Sequence, residues 1–161
     1  MINKVNAAFL FALRVHGKQT RKDGKPYIVH PFSVATELAK NGADDDLVCA
    51  GLLHDTIEDG GVAPEELRRE FGDEVLRLVL FDTENKELSW KERKDATLNA
   101  LENCDRKCAM LICADKLSNI RDVLEGLKTR VRASGGTSNT EKTHRSGFSV
   151  NMSGYSPVCP T

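Results

Sequence analysis

Apolar residues recur along most of this chain at intervals of three and four, which is the spacing of one face of an α-helix. In the first segment Val5, Phe9 and Leu13 follow this spacing, so we predict an amphipathic helix over residues 2–15. Helical signals continue to about Leu127, and no alternation of apolar and polar residues is long enough to predict a strand. The pattern therefore predicts an all-α fold.

The expected helix starts are marked by side chains that can hydrogen-bond to the free backbone N–H groups there, or by proline, which lacks an N–H group. Asp44 can cap a third helix that runs through LVCAGLLHDTIED until Gly60 and Gly61 stop it. Ser89 begins a capping box with Glu92, in which each residue satisfies a backbone donor of the other. The predicted starts of the second and later helices are signalled at Pro31, Asp44, Pro64, Asp73, Ser89 and Asp105.

The character of the sequence changes after Leu127. Residues 128–161 are rich in Ser, Thr and Gly, with isolated apolar residues and no period. Such a segment buries too little apolar surface to offset the entropy of ordering it. We therefore predict one domain over residues 1–127 and a disordered polar tail over 128–161.

The charge balance and the lengths of the apolar runs limit the kinds of partner that this protein is expected to bind. The chain has 161 residues with 23 Lys and Arg against 24 Asp and Glu, and this balance argues against a nucleic-acid-binding protein. No apolar run reaches the roughly 18 to 20 residues that a membrane span requires. The apolar N-terminal stretch has helical spacing and no cleavage site of small residues after it. We expect a cytoplasmic protein that binds neither nucleic acid nor membrane.

Charged residues that interrupt apolar segments are the first candidates for catalytic or metal-binding residues. In LLHDTIED, Glu58 follows His54 by four residues and Asp59 follows Asp55 by four, so a helix would place each pair on one side. Like charges one turn apart repel each other, and more strongly when they are partly buried. A bound cation would remove this repulsion.

Two further residues extend this pattern. Asp115 interrupts the apolar run MLICAD, where an unpaired carboxylate is costly to bury, and His30 lies at a predicted helix start. Two imidazoles and two carboxylates suit Mn²⁺, Fe²⁺, Co²⁺ or Zn²⁺. Alternatively, His30 is a cap or a core residue, and the acids form a solvated face paired with Arg14 or Lys116. Composition alone leaves both interpretations open.

A basic loop precedes His30 in the chain. It contains Lys18, Arg21, Lys22 and Lys25. It is either a solvated turn or a phosphate clamp beside the metal, in which the flat guanidinium of Arg21 could stack on a base.

Three segments, HGKQTRKDGKPYIVHPFSVA, AGLLHDTIED and CADKLSN, resemble the HD-domain phosphohydrolases in their order and spacing. More narrowly, they resemble the stand-alone small alarmone hydrolases of the RelA/SpoT-like family, over roughly residues 3–127. The resemblance implies an all-helical HD-domain bundle with one Mn²⁺ ion. The implied reaction removes pyrophosphate from the 3′ position of the guanosine polyphosphate (p)ppGpp, giving GDP or GTP.

The resemblance also implies a role for each candidate residue. The positions that match metal ligands in the family are His30, His54, Asp55 and Asp115. Glu58 and Asp59 match the acidic pair that positions or activates the attacking water. Arg21 and Lys22 match loop residues that contact the base and the phosphates, and Asn119 matches an asparagine near the nucleotide.

Two departures from the family pattern leave alternatives open. Asp122 stands where many longer RelA/SpoT-like proteins have a small hydroxyl residue, and the polar tail replaces further helices that usually follow the position of Leu127. The alternatives are a phosphatase acting on NADPH or another nucleotide, and a form with little or no activity. The sequence does not indicate an oligomeric state.

Overall fold

The computed structural model describes residues 3–134, with side chains described up to residue 132. Within that range the chain forms helices joined by turns and a single isolated bridge between Thr20 and Pro26, which confirms the all-α prediction. The helices are α1 Lys4–His16, α2 Val29–Lys40, α3 Asp45–Leu53, α4 Pro64–Asp82, α5 Trp90–Glu102 and α6 Arg106–Ser134. None of these helices is long and apolar enough to cross a membrane.

The predicted caps form as hydrogen bonds. The side chain of Asp44 accepts the backbone N–H of the third residue after it, and Asp105 does the same before α6. Ser89 and Glu92 make both bonds of the capping box at the start of α5. Pro64 is the first residue of α4, where its missing N–H costs no helical hydrogen bond. Local signals therefore define these helix starts.

The predicted start of the second helix and the predicted end of the third are wrong. The second helix begins at Val29, so Pro31 lies within its first turn rather than at its first position. The third helix ends at Leu53, and turns follow where helix was predicted up to residue 59. The hydroxyl and the backbone N–H of Thr56 both donate to the carbonyl of Leu53, at 2.6 and 2.9 Å. These two bonds close a tight turn that redirects the chain after α3.

Gly72 separates the two predicted segments of α4. It adopts φ 86° and ψ 174°, a conformation that favours glycine, and kinks the helix at this residue. The predicted break is present, although the two segments remain a single kinked element.

The last helix is longer than predicted. Residues 128–134 continue α6, although the sequence predicted a disordered tail from residue 128. Lys128, Arg130 and Arg132 have high helix propensity, so the helix continues where the apolar content falls. The rest of the predicted tail, residues 135–161, lies outside the described residues.

The core is arranged around α3. All seven residues from Leu47 to Leu53 are buried, and α3 packs against α1, α2, α4 and α6. Gly51 allows the close approach to α2, because a Cβ at this position would lie 2.7 Å from Cδ1 of Leu38 and 3.2 Å from Cα of Ala35. The carboxyl end of α3 is therefore held at the centre of the bundle.

We expect Gly51→Ala to lower the free energy of unfolding by about 1–3 kcal/mol, because the added methyl group must push α2 away from α3. Gly126→Ala is the matched control, since a Cβ at that helical position meets no atom within 4 Å. It should raise the free energy of unfolding by about 0.5–1 kcal/mol through helix propensity. Urea unfolding measures both, and equal effects would contradict the close approach.

Candidate metal centre

The predicted metal ligands converge from separate elements at the carboxyl end of α3. His30 comes from α2, His54 from the turn after α3, and Asp115 from α6, and all three are buried. Nε2 of His30 lies 3.2 Å from Nε2 of His54 and 3.1 Å from Oδ1 of Asp115. The remaining pair, Nε2 of His54 and Oδ1 of Asp115, is 3.8 Å apart.

Asp55 adds a second carboxylate to this cluster. Its Oδ2 lies 3.1 Å from Nε2 of His54 and 3.6 Å from Nε2 of His30. An ion about 2.1 Å from each ligand atom holds adjacent ligand atoms roughly 3.0 to 3.4 Å apart, in octahedral or tetrahedral geometry. The spacing of His30, His54 and Asp115 therefore fits one divalent ion, and Asp55 lies beside the two imidazoles.

Hydrogen bonds on the outer side of each imidazole direct its other nitrogen toward the cluster. Nδ1 of His54 lies 2.9 Å from the carbonyl oxygen of Gly51, so it carries the proton in the neutral ring. Nδ1 of His30 lies 3.1 Å from Oγ of Ser118. Both Nε2 lone pairs then face the same point, as metal-binding histidines require. Ser118 is a supporting residue that the sequence did not indicate.

The electrostatics of the cluster favour a cation. Burial by itself lowers the pKa of His54, but the charge of Asp55, and less strongly those of Asp82 and Asp115, raises it to about 9. Burial also opposes ionisation of Asp115, yet His30, His54 and Lys116 together lower its pKa to about 2. The pKa of Asp55 is likewise lowered despite its burial, chiefly by His54. Both carboxylates are therefore ionised at neutral pH.

A small acidic cavity of about 160 Å³ opens onto these ligands. Burial raises the pKa of Asp82, an acid that the sequence analysis missed. The sequence contains a signal for this acid, because Asp82 directly follows the apolar run LVLF, just as Asp115 follows an apolar run of its own. The carboxylates that line the cavity are Asp55, Glu58, Asp82, Glu84 and Asp115.

The two acids of the predicted pair, Glu58 and Asp59, have different surroundings in the turn after α3. Glu58 lines the cavity, and its Oε2 accepts the backbone N–H of Glu84 at 3.1 Å. Asp59 lies beside the cavity, where its Oδ1 accepts Lys86 Nζ at 2.7 Å. Lys86 also donates to the backbone carbonyl of Glu58 at 2.9 Å. The loop after α4 thus fastens both acids, a contact between distant segments that helical spacing could not predict.

Tyr27 is a further residue that sequence reasoning missed. Its hydroxyl lies 2.6 Å from Oδ2 of Asp55, to which it donates, and 3.1 Å from Oδ2 of Asp59. Burial, and then the charges of the two carboxylates, raise its pKa far above the usual value. The hydroxyl therefore stays protonated and links the predicted ligand to the acidic pair.

The predicted substrate-binding residues connect the ligands to a larger cavity. Arg21 donates to Oδ1 of Asn119 at 3.1 Å and contacts Asp122, and Nδ2 of Asn119 donates to Oδ1 of Asp115 at 2.7 Å. Arg21, Tyr27 and Asn119 also line a cavity of about 610 Å³, with the exposed Lys22 at its edge. Asp122 therefore anchors Arg21 at this position.

Comparisons with known proteins agree with this geometry. A family model described as an HD domain matches residues 8–136. The guanosine-3′,5′-bis(diphosphate) 3′-pyrophosphohydrolase of Aquifex aeolicus is 36% identical over 121 residues, which are 73% of this chain and 17% of that protein. The enzyme of the same description named MESH1 from Homo sapiens is 40% identical over 117 residues, covering 70% of this chain and 65% of that one. The chain thus spans less than two thirds of these relatives' length.

Two solved structures share the fold. One is described as a metazoan ortholog of SpoT that hydrolyzes ppGpp and plays a role in starvation responses. It matches with a TM-score of 0.71 and 30% identity, over 77% of this chain and 72% of that chain. The other is lmo0812 from Listeria monocytogenes, with a TM-score of 0.60 and 44% identity over 65% of this chain and 67% of that one.

The raised pKa of His54 predicts how the metal-free protein responds to pH. Protonation of His54 contributes stability that is fully present below its ordinary pKa of 6.5 and is lost as the pH rises through about 9. With EDTA present, we expect the melting temperature to fall by about 5 °C or more across this interval. Added Mn²⁺ should reverse the fall, because the ion takes the place of the proton.

The variant His54→Gln is the control for this assignment, because it lacks the titrating imidazole. Its melting temperature should not show this fall with pH. A wild-type fall that Mn²⁺ leaves unchanged would contradict metal binding at these residues.

Proposed function

This chain belongs to the HD-domain family, and we propose that it is a Mn²⁺-dependent phosphohydrolase that removes pyrophosphate from the 3′ position of (p)ppGpp. The observation that supports this most strongly is the convergence of the buried His30, His54 and Asp115 and the partly buried Asp55 beside a cavity lined by acids. The relatives described above carry the same activity in their names. Guanosine polyphosphate would be the small-molecule partner.

The donor set is suited to one divalent ion, with His30, His54, Asp55 and Asp115 as its ligands. Nitrogen and carboxylate donors together suit Mn²⁺, Fe²⁺, Co²⁺ and Zn²⁺, and we propose Mn²⁺. When bound, such an ion withdraws charge from phosphoryl oxygens and lowers the pKa of water near it. Side chains of this protein carry out the proton transfers and hold the substrate.

Glu58 is the proposed general base. The backbone N–H of Glu84 fixes one of its oxygens at the edge of the cavity, so its carboxylate can accept a proton from a water molecule there. The water oxygen then forms a bond to phosphorus, and the bond between that phosphorus and the ribose 3′ oxygen breaks. The proton taken up by Glu58 can return to the leaving 3′ oxygen. Asp59, held by Lys86 and Tyr27, keeps this region in place.

The larger cavity is the proposed nucleotide site. Its volume of about 610 Å³ is in the range of small-molecule sites. Arg21 presents a flat guanidinium that Asp122 and Asn119 hold in place, which suits stacking on guanine. Lys22 is exposed at the entrance, where its charge can attract the phosphates. Arg21 and Asn119 line both cavities, so a single ligand can occupy both.

The first experiment measures pyrophosphate release from ppGpp by the purified chain, with Mn²⁺ and then with EDTA. We expect turnover that requires Mn²⁺ and is absent from Asp115→Ala, which lacks one ligand. A thermal melt of each sample shows whether it is folded. A folded, Mn²⁺-stabilised protein without turnover would contradict ppGpp as the substrate, and NADPH would be assayed next.

Replacing the proposed general base should reduce the rate of the chemical step. We expect Glu58→Gln to keep Mn²⁺ binding, measured as the shift in melting temperature, but to lower kcat by about 10²–10⁴-fold. Glu87→Gln is the matched control, an exposed glutamate in the same loop region as the contacts of Glu58. Near-normal turnover by Glu58→Gln would rule out an acid–base role.

Removing the exposed charge at the entrance should affect binding rather than chemistry. We expect Lys22→Ala to raise KM for ppGpp about tenfold with little change in kcat, because its contact with phosphate is equally strong in the ground and transition states. Lys91→Ala, on the exposed surface of α5, is the control. An unchanged KM would exclude the phosphate clamp.

A further inference from the structure

Glu84 connects α5 to the proposed general base. Its backbone N–H donates to Oε2 of Glu58 at 3.1 Å. Its side chain reaches α5 instead, where Oε1 accepts a hydrogen bond from Nζ of Lys94 and Oε2 lies 3.3 Å from Nη1 of Arg93. The backbone of one residue therefore holds the base, while two cations of α5 hold the side chain of that residue.

The ion pairs of Glu84 lie partly within the protein. Its side chain is 18% exposed, and those of Arg93 and Lys94 are 26% and 38% exposed. Ion pairs that are partly buried are screened by salt and water less than exposed ones. Because each carboxylate oxygen has a cation of its own, the side chain is held in one orientation. The position of Glu84 therefore depends on α5.

Apolar packing contributes little to the attachment of α5. None of its residues, all of which are described, is buried, so the helix gains little stability from the core. A cavity of about 240 Å³ lies between α5 and the end of α4, lined by Ala96 and Ala100 of α5 and by Phe81 and Thr83. Within residues 3–132, both ion pairs that join α5 to the rest of the domain involve Glu84. Charge rather than burial therefore holds the start of α5 in place.

The loop after α4 holds Glu58 at two points, which fix different parts of the residue. Nζ of Lys86 donates to the backbone carbonyl of Glu58 at 2.9 Å and to Oδ1 of Asp59 at 2.7 Å. The N–H of Glu84 instead contacts the carboxylate of Glu58. Loss of the Glu84 contact would thus free the carboxylate while the backbone stays in place. A general base must lie within hydrogen-bond reach of the proton that it takes up, so this loss affects the chemical step first.

We propose that Arg93 and Lys94 are positioning residues, which act through Glu84 to hold the carboxylate of Glu58 at the acidic cavity. Their role rests on that of Glu58 as general base in the proposed function. Neither cation lines the acidic cavity or the nucleotide cavity, so they act on the reaction through Glu84 and not through the substrate. Catalysis is sensitive to such contacts, since a misplacement of about 1 Å can lower the rate about 10²-fold.

The full chain with Arg93→Ala and Lys94→Ala tests this role. We expect kcat for ppGpp to fall about 10- to 100-fold, with KM within about twofold of the wild type because Arg21 and Lys22 are unchanged. Exchanging the two cations, by Arg93→Lys with Lys94→Arg, keeps both charges and should restore most of kcat. Lys91→Ala is the control, because it removes an exposed cation from the same helix. An unchanged kcat, or a change in KM alone, would overturn the proposal.

Glu58→Gln separates positioning of the base from a general effect on the fold. When the base is already absent, removing the two cations should lower kcat by less than about twofold. A fall as large as in the wild-type background would contradict the proposal, because the cations would then act on a different group. The rise in melting temperature with Mn²⁺ should be the same in every variant. If the double variant melts below the assay temperature, Arg93→Ala and Lys94→Ala are measured singly.

Hydrogen exchange at the backbone amide of Glu84 tests the same contact without turnover. The bond to Glu58 protects this amide, and loss of both α5 cations should speed its exchange at least about tenfold. The amides of α3 should exchange as in the wild type, and Lys91→Ala should leave the Glu84 amide unaffected. Unchanged exchange in the double variant would show that α5 does not position Glu84. A wild-type chain that does not hydrolyse ppGpp would overturn the proposed function instead, and the exchange rate would still report whether α5 holds Glu84 against Glu58.

Discussion

The burial of two imidazoles and the carboxylate of Asp115, with the partly buried Asp55 beside them, at the carboxyl end of α3 is the constraint on which the rest of the structure depends. Such groups are costly to remove from water unless a cation or a proton compensates their charge. The apolar packing of α3 against its four neighbours places this end at the centre of the bundle. Two of those neighbours, α2 and α6, supply His30 and Asp115. The core and the site therefore share the same helices.

Charge is distributed unevenly across the site. Five carboxylates line the small cavity together with Arg21 and Lys116, whereas in the larger one Arg21, Lys22 and Arg130 outnumber two carboxylates. A path of hydrogen bonds from Arg21 through Asn119 to Asp115 joins the two. A cation therefore fits one end and a polyanion the other, as expected for a metal-dependent enzyme that acts on phosphate groups.

The sequence predicted the features that are determined by residues close together in the chain. The caps at Asp44 and Ser89 and the all-α fold follow from short-range rules, and the candidate ligands are noticeable because charge interrupts apolar segments. The turn after Leu53 was missed because Thr56 offers the backbone a bond that competes with the helix. Tyr27 and Lys86 were missed because they reach the acids from distant loops. The metal-ligand roles come from the resemblance and stay predictions.

The end of α6 lines the larger cavity, through Val123, Gly126 and Leu127. Asn119 and Asp122, which hold Arg21, lie where the helix leaves the bundle and every following side chain up to residue 132 is exposed. A helical segment with little buried surface gains little stability from packing, so the stability of this segment determines how firmly Arg21 is held. A ligand in the larger cavity would in turn stabilise the end of α6, because residues of this segment line that cavity.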